Sequence, residues 1–245
     1  MISCRDLTRR FGEFVAVDGL TIEVPKGSIC AFLGPNGAGK STTLKMLTGW
    51  LQPSSGTATV CGLDVTKDAV AIKRRIGVLP ENLGLFDDLT VEEHLALTGE
   101  VYGLPTRLAR ARIEQLLRAL NLTPGRRTFA RDCSHGMRKK TAFAMALLPN
   151  PDVLFLDEPF EAIDPVTSRV IDEILVTAAQ RGITVFLTSH MLSTAEKIAH
   201  QFVIIRSGRA VWNAAARELS RSLEEVYFEV VELPVMEELP WLGHE

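Results

Sequence analysis

Gly34-Pro35-Asn36-Gly37-Ala38-Gly39-Lys40-Ser41 follows the apolar run Ile29-Cys30-Ala31-Phe32-Leu33 and precedes Thr42-Thr43-Leu44-Lys45-Met46-Leu47, a stretch that closes at Gly49. The apolar pentad reads as a strand buried on both faces, and the segment after Lys40 reads as a helix. The octad between them fits G-x-x-x-x-G-K-[ST]. Glycines permit the dihedrals that turn successive backbone N–H groups inward, forming an anion cradle at a helix N-terminus. Lys40 brings a point charge to the β- and γ-phosphates of a nucleotide, and the Ser41 hydroxyl can ligate Mg²⁺. A random chain of this length would match the pattern on the order of once in a hundred times. The strand–helix setting makes chance rarer still. Residues Gly34 through Thr42 are therefore expected to hold a nucleoside triphosphate.

On the N-terminal side, residues 2–33 alternate polar and apolar positions before the pentad, as edge strands do. On the C-terminal side, Pro53-Ser54-Ser55-Gly56 reads as a turn and Thr57-Ala58-Thr59-Val60 as a short strand. From about Leu83 to Leu148 strand signals vanish. Apolar residues there recur at helical spacing (Val91, Leu95, Leu97; Ile113, Leu116, Leu117, Leu120), which predicts a helical insertion. Strands return at Val153–Leu156, Thr184–Leu187 and Phe202–Ile205, separated by helical patterns at 166–180 and 191–199. This alternation predicts an α/β fold with a mainly parallel sheet and ligands at the carboxyl ends of its strands.

Val153-Leu154-Phe155-Leu156-Asp157-Glu158 carries two carboxylates to that ligand edge. Successive strand residues point to opposite faces, so adjacent acids can take different tasks. Asp157 is placed to hold a Mg²⁺ shell, directly or through water, and Glu158 to polarise an attacking water. Solvated acids also cap strands, and the phosphate loop in the same chain is what favours the chemical reading.

Composition narrows the class further. The 245 residues hold 46% hydrophobic and 23% charged side chains, with a net charge of -3 that suggests no polyanionic partner. Cys4, Cys30, Cys61 and Cys133 lie far apart without a C-x-x-C pair, which argues against zinc and a disulfide framework and fits a reduced, cytosolic setting. The first residues, Met1-Ile2-Ser3-Cys4-Arg5-Asp6, lack the apolar core of a secretory signal, and no apolar run approaches the length of a bilayer span.

With these motifs in place, the chain resembles the ABC (ATP-binding cassette) ATPase family over about residues 2–230. Phe11-Gly12 and Ala16 match the family's aromatic element, with Phe where Tyr is more usual; the ring is either an adenine platform or a core phenylalanine. The signature segment, usually Leu-Ser-Gly-Gly-Gln, reads Cys133-Ser134-His135-Gly136-Met137. Ser134 and Gly136 keep the hydroxyl and the close backbone approach, and the wording is similar to export-type members. The His135 imidazole reads as a solvated side chain. Pro159-Phe160-Glu161-Ala162-Ile163-Asp164-Pro165 is similar to the D-loop, with Asp164 as its acid, and Thr188-Ser189-His190 to the switch histidine that contacts the γ-phosphate. Ile76-Gly77-Val78-Leu79-Pro80 matches the segment before the glutamine loop, but Glu81 stands where Gln is usual. A carboxylate there adds repulsion near the γ-phosphate, so Glu81 is expected to bind metal weakly and mainly to couple two lobes.

The resemblance implies a P-loop NTPase fold with an antiparallel β subdomain beside the parallel core. It implies one cassette spanning residues 1–245, with a catalytic lobe at 1–82 and 150–225, a helical subdomain at 83–149 and an acidic tail at 226–245. Ten Lys or Arg at 107–140 and six acids at 81–100 read as surface patterning on the helical lobe. Leu223-Glu224-Glu225-Val226-Tyr227 resembles the ending of export-type members, leaving no room for an appended regulatory domain. The implied activity is ATP hydrolysis with Mg²⁺, energising a separate integral membrane permease from the inner face of the cell membrane. The implied partner is a second nucleotide-binding subunit, in a homodimer or a closely related heterodimer, with no nucleic acid expected. A single-cassette ATPase acting on ribosomes or nucleic acid is the competing reading. A P-loop kinase is a third, but it leaves Ser134, Gly136 and His190 unexplained.

Overall fold

The computed structural model describes residues 1–231. Strands β1 (Ile2–Phe11) and β2 (Phe14–Val24) form a hairpin, and β3 (Ile29–Leu33) leads into helix α1 (Lys40–Leu47). Then follow β4 (Ser55–Val60), β5 (Leu63–Asp64), α2 (Ala69–Lys73) and β6 (Ile76–Leu79). Helices α3 (Val91–Val101), α4 (Thr106–Ala119) and α5 (His135–Leu147) come next. The chain continues through β7 (Val153–Leu156), α6 (Pro165–Gln180), β8 (Thr184–Ser189), α7 (Leu192–Ile198), β9 (Gln201–Arg206), β10 (Arg209–Ala215) and α8 (Leu223–Val230).

Two sheets result. One is four-stranded and antiparallel, in the order β2-β1-β4-β5; the other is six-stranded, in the order β10-β9-β3-β8-β7-β6. Within the second sheet every pairing except β10 with β9 is parallel. The predicted α/β fold and mainly parallel core are therefore observed. Why β3 is apolar throughout is now visible. Ile29, Ala31 and Leu33 face a core shared with α5, α6 and α7, whereas Cys30 and Phe32 face a second core closed by the antiparallel sheet and α1. A strand buried on both sides cannot alternate. Phe186 of β8 links Phe32 and Phe155 across the second core, with ring centroids 5.2 and 5.8 Å away. Truncating a buried phenylalanine to alanine costs about 3–5 kcal/mol, so these rings weigh heavily in holding the sheet that presents the loop.

The segment between β6 and β7 is helical, as its spacing predicts, although Leu97 turns outward at 38% exposure. Thr90 caps α3 through a capping box with Glu93. Backbone bonds from Val91 N–H to Thr128 O and from Ala130 N–H to Leu89 O stitch the entrance of this segment to its exit. Two boundaries differ from the sequence reading. Ser55 and Gly56 belong to β4 rather than to a turn: Ser55 pairs with Thr8 of β1, and Gly56 sits at the register shift between that pair and the pair of Arg5 with Thr57. Residues 226–230, read as the start of an acidic tail, form most of α8 instead. Ser222 caps that helix, and Leu223 and Val226 are buried in the core. The acids beyond Val231 lie outside the described residues.

Candidate nucleotide-binding and hydrolysis site

The carboxyl ends of β3, β7 and β8 and the start of α1 meet around a cleft of about 770 Å³. Along its floor, Gly39 caps α1 with a left-handed backbone (φ 109°) and offers no side-chain acceptor to the helix. A Cβ on Gly39 would stand 2.4 Å from Ala16 O, and one on Gly34 2.3 Å from Ile205 O, so the loop can close only with glycine at both places. Lys40, Ser41 and Thr42 open the helix, where the first N–H groups lack intrahelical partners and the dipole favours an anion. Lys40 is 8% exposed; its ammonium donates to Gly34 O (2.7 Å) and Pro35 O (3.3 Å) and lies 3.9 Å from Glu158 Oε1. Ala38 is turned inward: its N–H donates to Pro35 O and its carbonyl accepts from Gly208 N–H. The lysine ammonium is thus held inside the turn of the loop.

Asp157 is buried at 4% exposure, and its Oδ1 accepts a hydrogen bond from Thr188 Oγ1 at 2.6 Å. Glu158 takes a left-handed backbone (φ 48°) unusual for its type. Its N–H donates to the same Thr188 oxygen (3.0 Å), and its Oε2 faces His190 Nδ1 at 2.9 Å and accepts the His190 N–H at 3.2 Å. Glu158 therefore spans the gap between Lys40 and His190. Glu81 follows β6 and lines the same cleft, as does Glu161. Glu161 ion-pairs with Lys139 of α5 at 3.4 Å. Burial pushes the Lys139 ammonium below the usual lysine range, an effect that Glu161 and then Glu158 and Asp157 oppose.

Other residues named from the sequence stand apart from this cleft. Ser134 caps α5, accepting from Met137 N–H at 3.2 Å, and Gly136 packs against the D-loop, where a Cβ would stand 3.2 Å from Ala162 O. Asp164 caps α6; its Oδ2 and Oδ1 accept from Thr167 Oγ1 and N–H, and those bonds hold its carboxyl below the usual range. The Phe11 ring is 46% exposed and carries the Arg9 guanidinium 4.5 Å from its centroid. The aromatic residues on the cleft wall are instead Phe14, paired with Phe11 across the β1–β2 hairpin, and Tyr227 of α8. Sequence reasoning missed Phe14, Tyr227, Lys139 and Thr188. Phe14 had a signal in the hairpin spacing Phe11-Gly12-Glu13-Phe14; Tyr227 had none.

The residues present suit a nucleotide and a divalent ion. A helix start without a side-chain cap, behind a loop that excludes Cβ atoms, accepts phosphate oxygens. Ser41 and Asp157 supply hard oxygen donors. Among the described residues no group of three or more His, Cys, Asp or Glu could hold a metal alone, so Mg²⁺ here would complete its shell from phosphate and water.

A parallel sheet that ends in a phosphate loop, with an acid pair and a histidine beyond it and a helical segment between β6 and β7, defines an ATP-binding cassette. The profile of the family described as "ABC transporter" matches residues 17–161. Among curated relatives, Nod factor export ATP-binding protein I of Burkholderia thailandensis is 37% identical over 232 residues, covering 95% of this chain and 76% of that one. The protein of the same name from Ralstonia nicotianae is 36% identical, covering 95% and 72%. A solved structure titled as the ATP binding subunit of an ABC transporter superposes with a TM-score of 0.88 at 30% identity, covering 94% of this chain and 99% of that one. A dimeric ATP-binding cassette bound to ADP and Pi shares the fold at a TM-score of 0.83 and 22% identity, covering 89% and 100%. The chain belongs to the ABC transporter family, as one of its ATP-binding ATPase subunits.

Proposed function

We propose that this chain hydrolyses ATP with Mg²⁺ to drive export through a separate integral membrane permease, working as a pair of cassettes at the inner face of the membrane. One observation carries the reading. Lys40, Glu158 and His190 converge on one cleft, whereas Ser134 and Gly136 of the same chain stand outside it. A signature helix that does not reach its own phosphate loop is available to a second subunit's nucleotide. Export is the direction named for the curated relatives, and among the described residues no helix is long and apolar enough to cross a membrane. In this reading the permease is a separate chain. Residues 1–82 and 150–225 serve as the catalytic lobe, and residues 83–149 as the lobe that carries the signature.

The working parts follow from their chemistry. Gly34, Pro35, Asn36, Gly37, Ala38 and Gly39 shape the loop; N–H groups at the start of α1, through Thr42, take the phosphate oxygens, and Lys40 bridges the β- and γ-groups. Ser41 and Asp157 would hold the Mg²⁺, with Glu81 a weaker contributor; the ion would neutralise phosphate charge. Glu158 accepts a proton from the attacking water, a role worth roughly 10²- to 10⁴-fold, and His190 orients it. Phe11 or its hairpin partner Phe14 supports the base. Ser134, Gly136 and Asp164 face the second subunit. ATP closes the pair, and hydrolysis with phosphate loss reopens it.

The test is purification of the full chain in unmodified form and as Lys40→Ala, with ATP turnover and co-recovered proteins measured. Turnover that disappears in the variant, together with recovery of an integral membrane protein, is expected. Equal turnover in both would overturn the hydrolytic assignment, and recovery with ribosomes alone would overturn the transport assignment.

A further inference from the structure

Thr188, at the end of β8, is fully buried and serves both acids at once. Its Oγ1 donates to Asp157 Oδ1 at 2.6 Å and accepts from Glu158 N–H at 3.0 Å. The direction of each bond is forced. A backbone N–H can only donate, so the oxygen lone pair goes to Glu158 and the single hydroxyl proton goes to Asp157. The arrangement follows from the parallel pairing of β7 with β8, in which Leu156 stands opposite Leu187. The next residue on each strand is then Asp157 or Thr188. Two residues further along the chain, His190 grips the Glu158 carboxylate.

The Glu158 backbone adds a second constraint. At φ 48° it sits in a region that costs a non-glycine residue energy unless its surroundings hold it there. The bond from its N–H to Thr188 is such a restraint. Without it, the peptide joining Asp157 to Glu158 loses the partner that fixes its plane, and the two carboxylates lose their fixed relation. Glu158 would then leave the position 3.9 Å from Lys40, and Asp157 would lose the donor that aims one of its oxygens.

We propose that Thr188 is a positioning residue for hydrolysis: its one hydroxyl sets the separation between the metal-holding acid and the acid that activates water. The inference rests on the roles given to Asp157 and Glu158 above. It goes beyond them in naming the group that makes the pair work as a pair.

The experiment uses the full chain as unmodified protein, Thr188→Val, Thr188→Ser and Glu158→Gln. Valine keeps the shape and removes the hydroxyl; serine keeps the hydroxyl and removes the methyl. In Thr188→Val, kcat is expected to fall about 10- to 100-fold, the effect of misplacing a general base. KM for ATP should stay within about twofold, because the Lys40 loop is untouched, and the Mg²⁺ concentration for half-maximal rate should rise several-fold. Thr188→Ser should recover most of the rate. Unchanged kcat in Thr188→Val, or equal losses in the valine and serine variants, overturns the proposal. Thermal melting with bound ADP separates a folding defect in the valine variant, in which case the serine comparison decides. If Glu158→Gln turns over ATP normally, the catalytic reading itself fails. If Glu158→Gln is inactive while Thr188→Val is fully active, only the present inference fails.

Discussion

His190 and Glu158 are joined twice, through Nδ1 at 2.9 Å and through the His190 backbone N–H at 3.2 Å, and both contacts fall on the same carboxylate oxygen, Oε2. A carboxylate can only accept, so Nδ1 is the ring nitrogen that donates to it. The other carboxylate oxygen, Oε1, lies toward Lys40. Glu158 is thus presented to the cleft with a defined orientation rather than as a free surface acid, at 18% side-chain exposure.

Glu158→Gln keeps the shape and an oxygen for His190 but removes the base. Turnover should fall by about 10²-fold or more while ATP binding persists. The variant should therefore accumulate as an ATP-bound pair, seen as a shift in elution volume on size exclusion in millimolar ATP. A variant that stays monomeric with ATP bound would count against closure by two cassettes.

Glu81 shares the cleft with Asp157, Glu158 and Glu161; Lys40 lies on its floor, and Lys139 is paired with Glu161. Adding a polyphosphate to that group of carboxylates costs Coulomb energy, damped by solvent because Glu81 is exposed. Glu81→Gln should tighten ATP binding by about two- to fivefold at low salt, with the gain shrinking as salt rises. Fluorescent-nucleotide titrations at two ionic strengths measure it. Weaker binding in the variant would instead make Glu81 a metal ligand that matters.

Much of this site could be read before the structure. Asp157, Glu158, Lys40 and His190 all follow apolar strands, and a parallel sheet brings the ends of its strands to one edge whatever the loops between them. The local patterns decided the strands for the same reason: β3, β7 and the centres of β8 (Val185–Leu187) and β9 (Phe202–Ile205) are buried on both faces and therefore continuously apolar. What stayed hidden depends on contacts between distant segments. Thr188 meets Asp157 across 31 positions of chain, and although it opens the segment that ends at His190, nothing local shows that its hydroxyl reaches both acids. Lys139 looks like one more cation in a basic run, yet it is buried and paired with an acid on another loop. Tyr227 reaches the cleft only because α8 packs beside α7, and no pattern within 223–230 could show that.

The four cysteines are free thiols in two environments. Cys4 and Cys30 are at most 1% exposed, and burial pushes the Cys4 thiol up to about 12, so its thiolate is scarce at neutral pH. Cys61 and Cys133 are only partly covered. A maleimide at pH 7.5 should label Cys61 and Cys133 while the fold is intact, and Cys4 and Cys30 only after denaturation. Because Cys133 adjoins Ser134, a bulky adduct there should slow ATP turnover. Mass spectrometry of the labelled chain beside an activity assay reads both effects. Early labelling of Cys30 would contradict the buried parallel core.

Arg126 ties two helices of the signature-bearing segment together. Its guanidinium bonds Glu92 on α3 through Nε (2.8 Å) and Nη2 (2.5 Å), and Glu114 on α4 through Nη2 (2.6 Å) and Nη1 (3.4 Å). The hydrogen bonds to Arg126, and secondarily its charge, hold the Glu92 carboxyl below the usual range. The sign of the pH effect follows. A carboxyl whose folded pKa is depressed adds stability above its unfolded pKa, near 4.5, and loses that stability as pH falls through the lower folded value. Glu92 and Glu114 are 40% and 44% exposed, so solvent screening reduces the contribution to about 1 kcal/mol for the network. Arg126→Ala should therefore lower Tm by about 2–4 °C at pH 7. The gap to the unmodified chain should shrink as pH falls below 4.5 and Glu92 takes up its proton. Scanning calorimetry at pH 7, 5 and 3.5 checks this, and a gap that stays constant with pH would mean that Arg126 acts by packing its stem and not by pairing its charge.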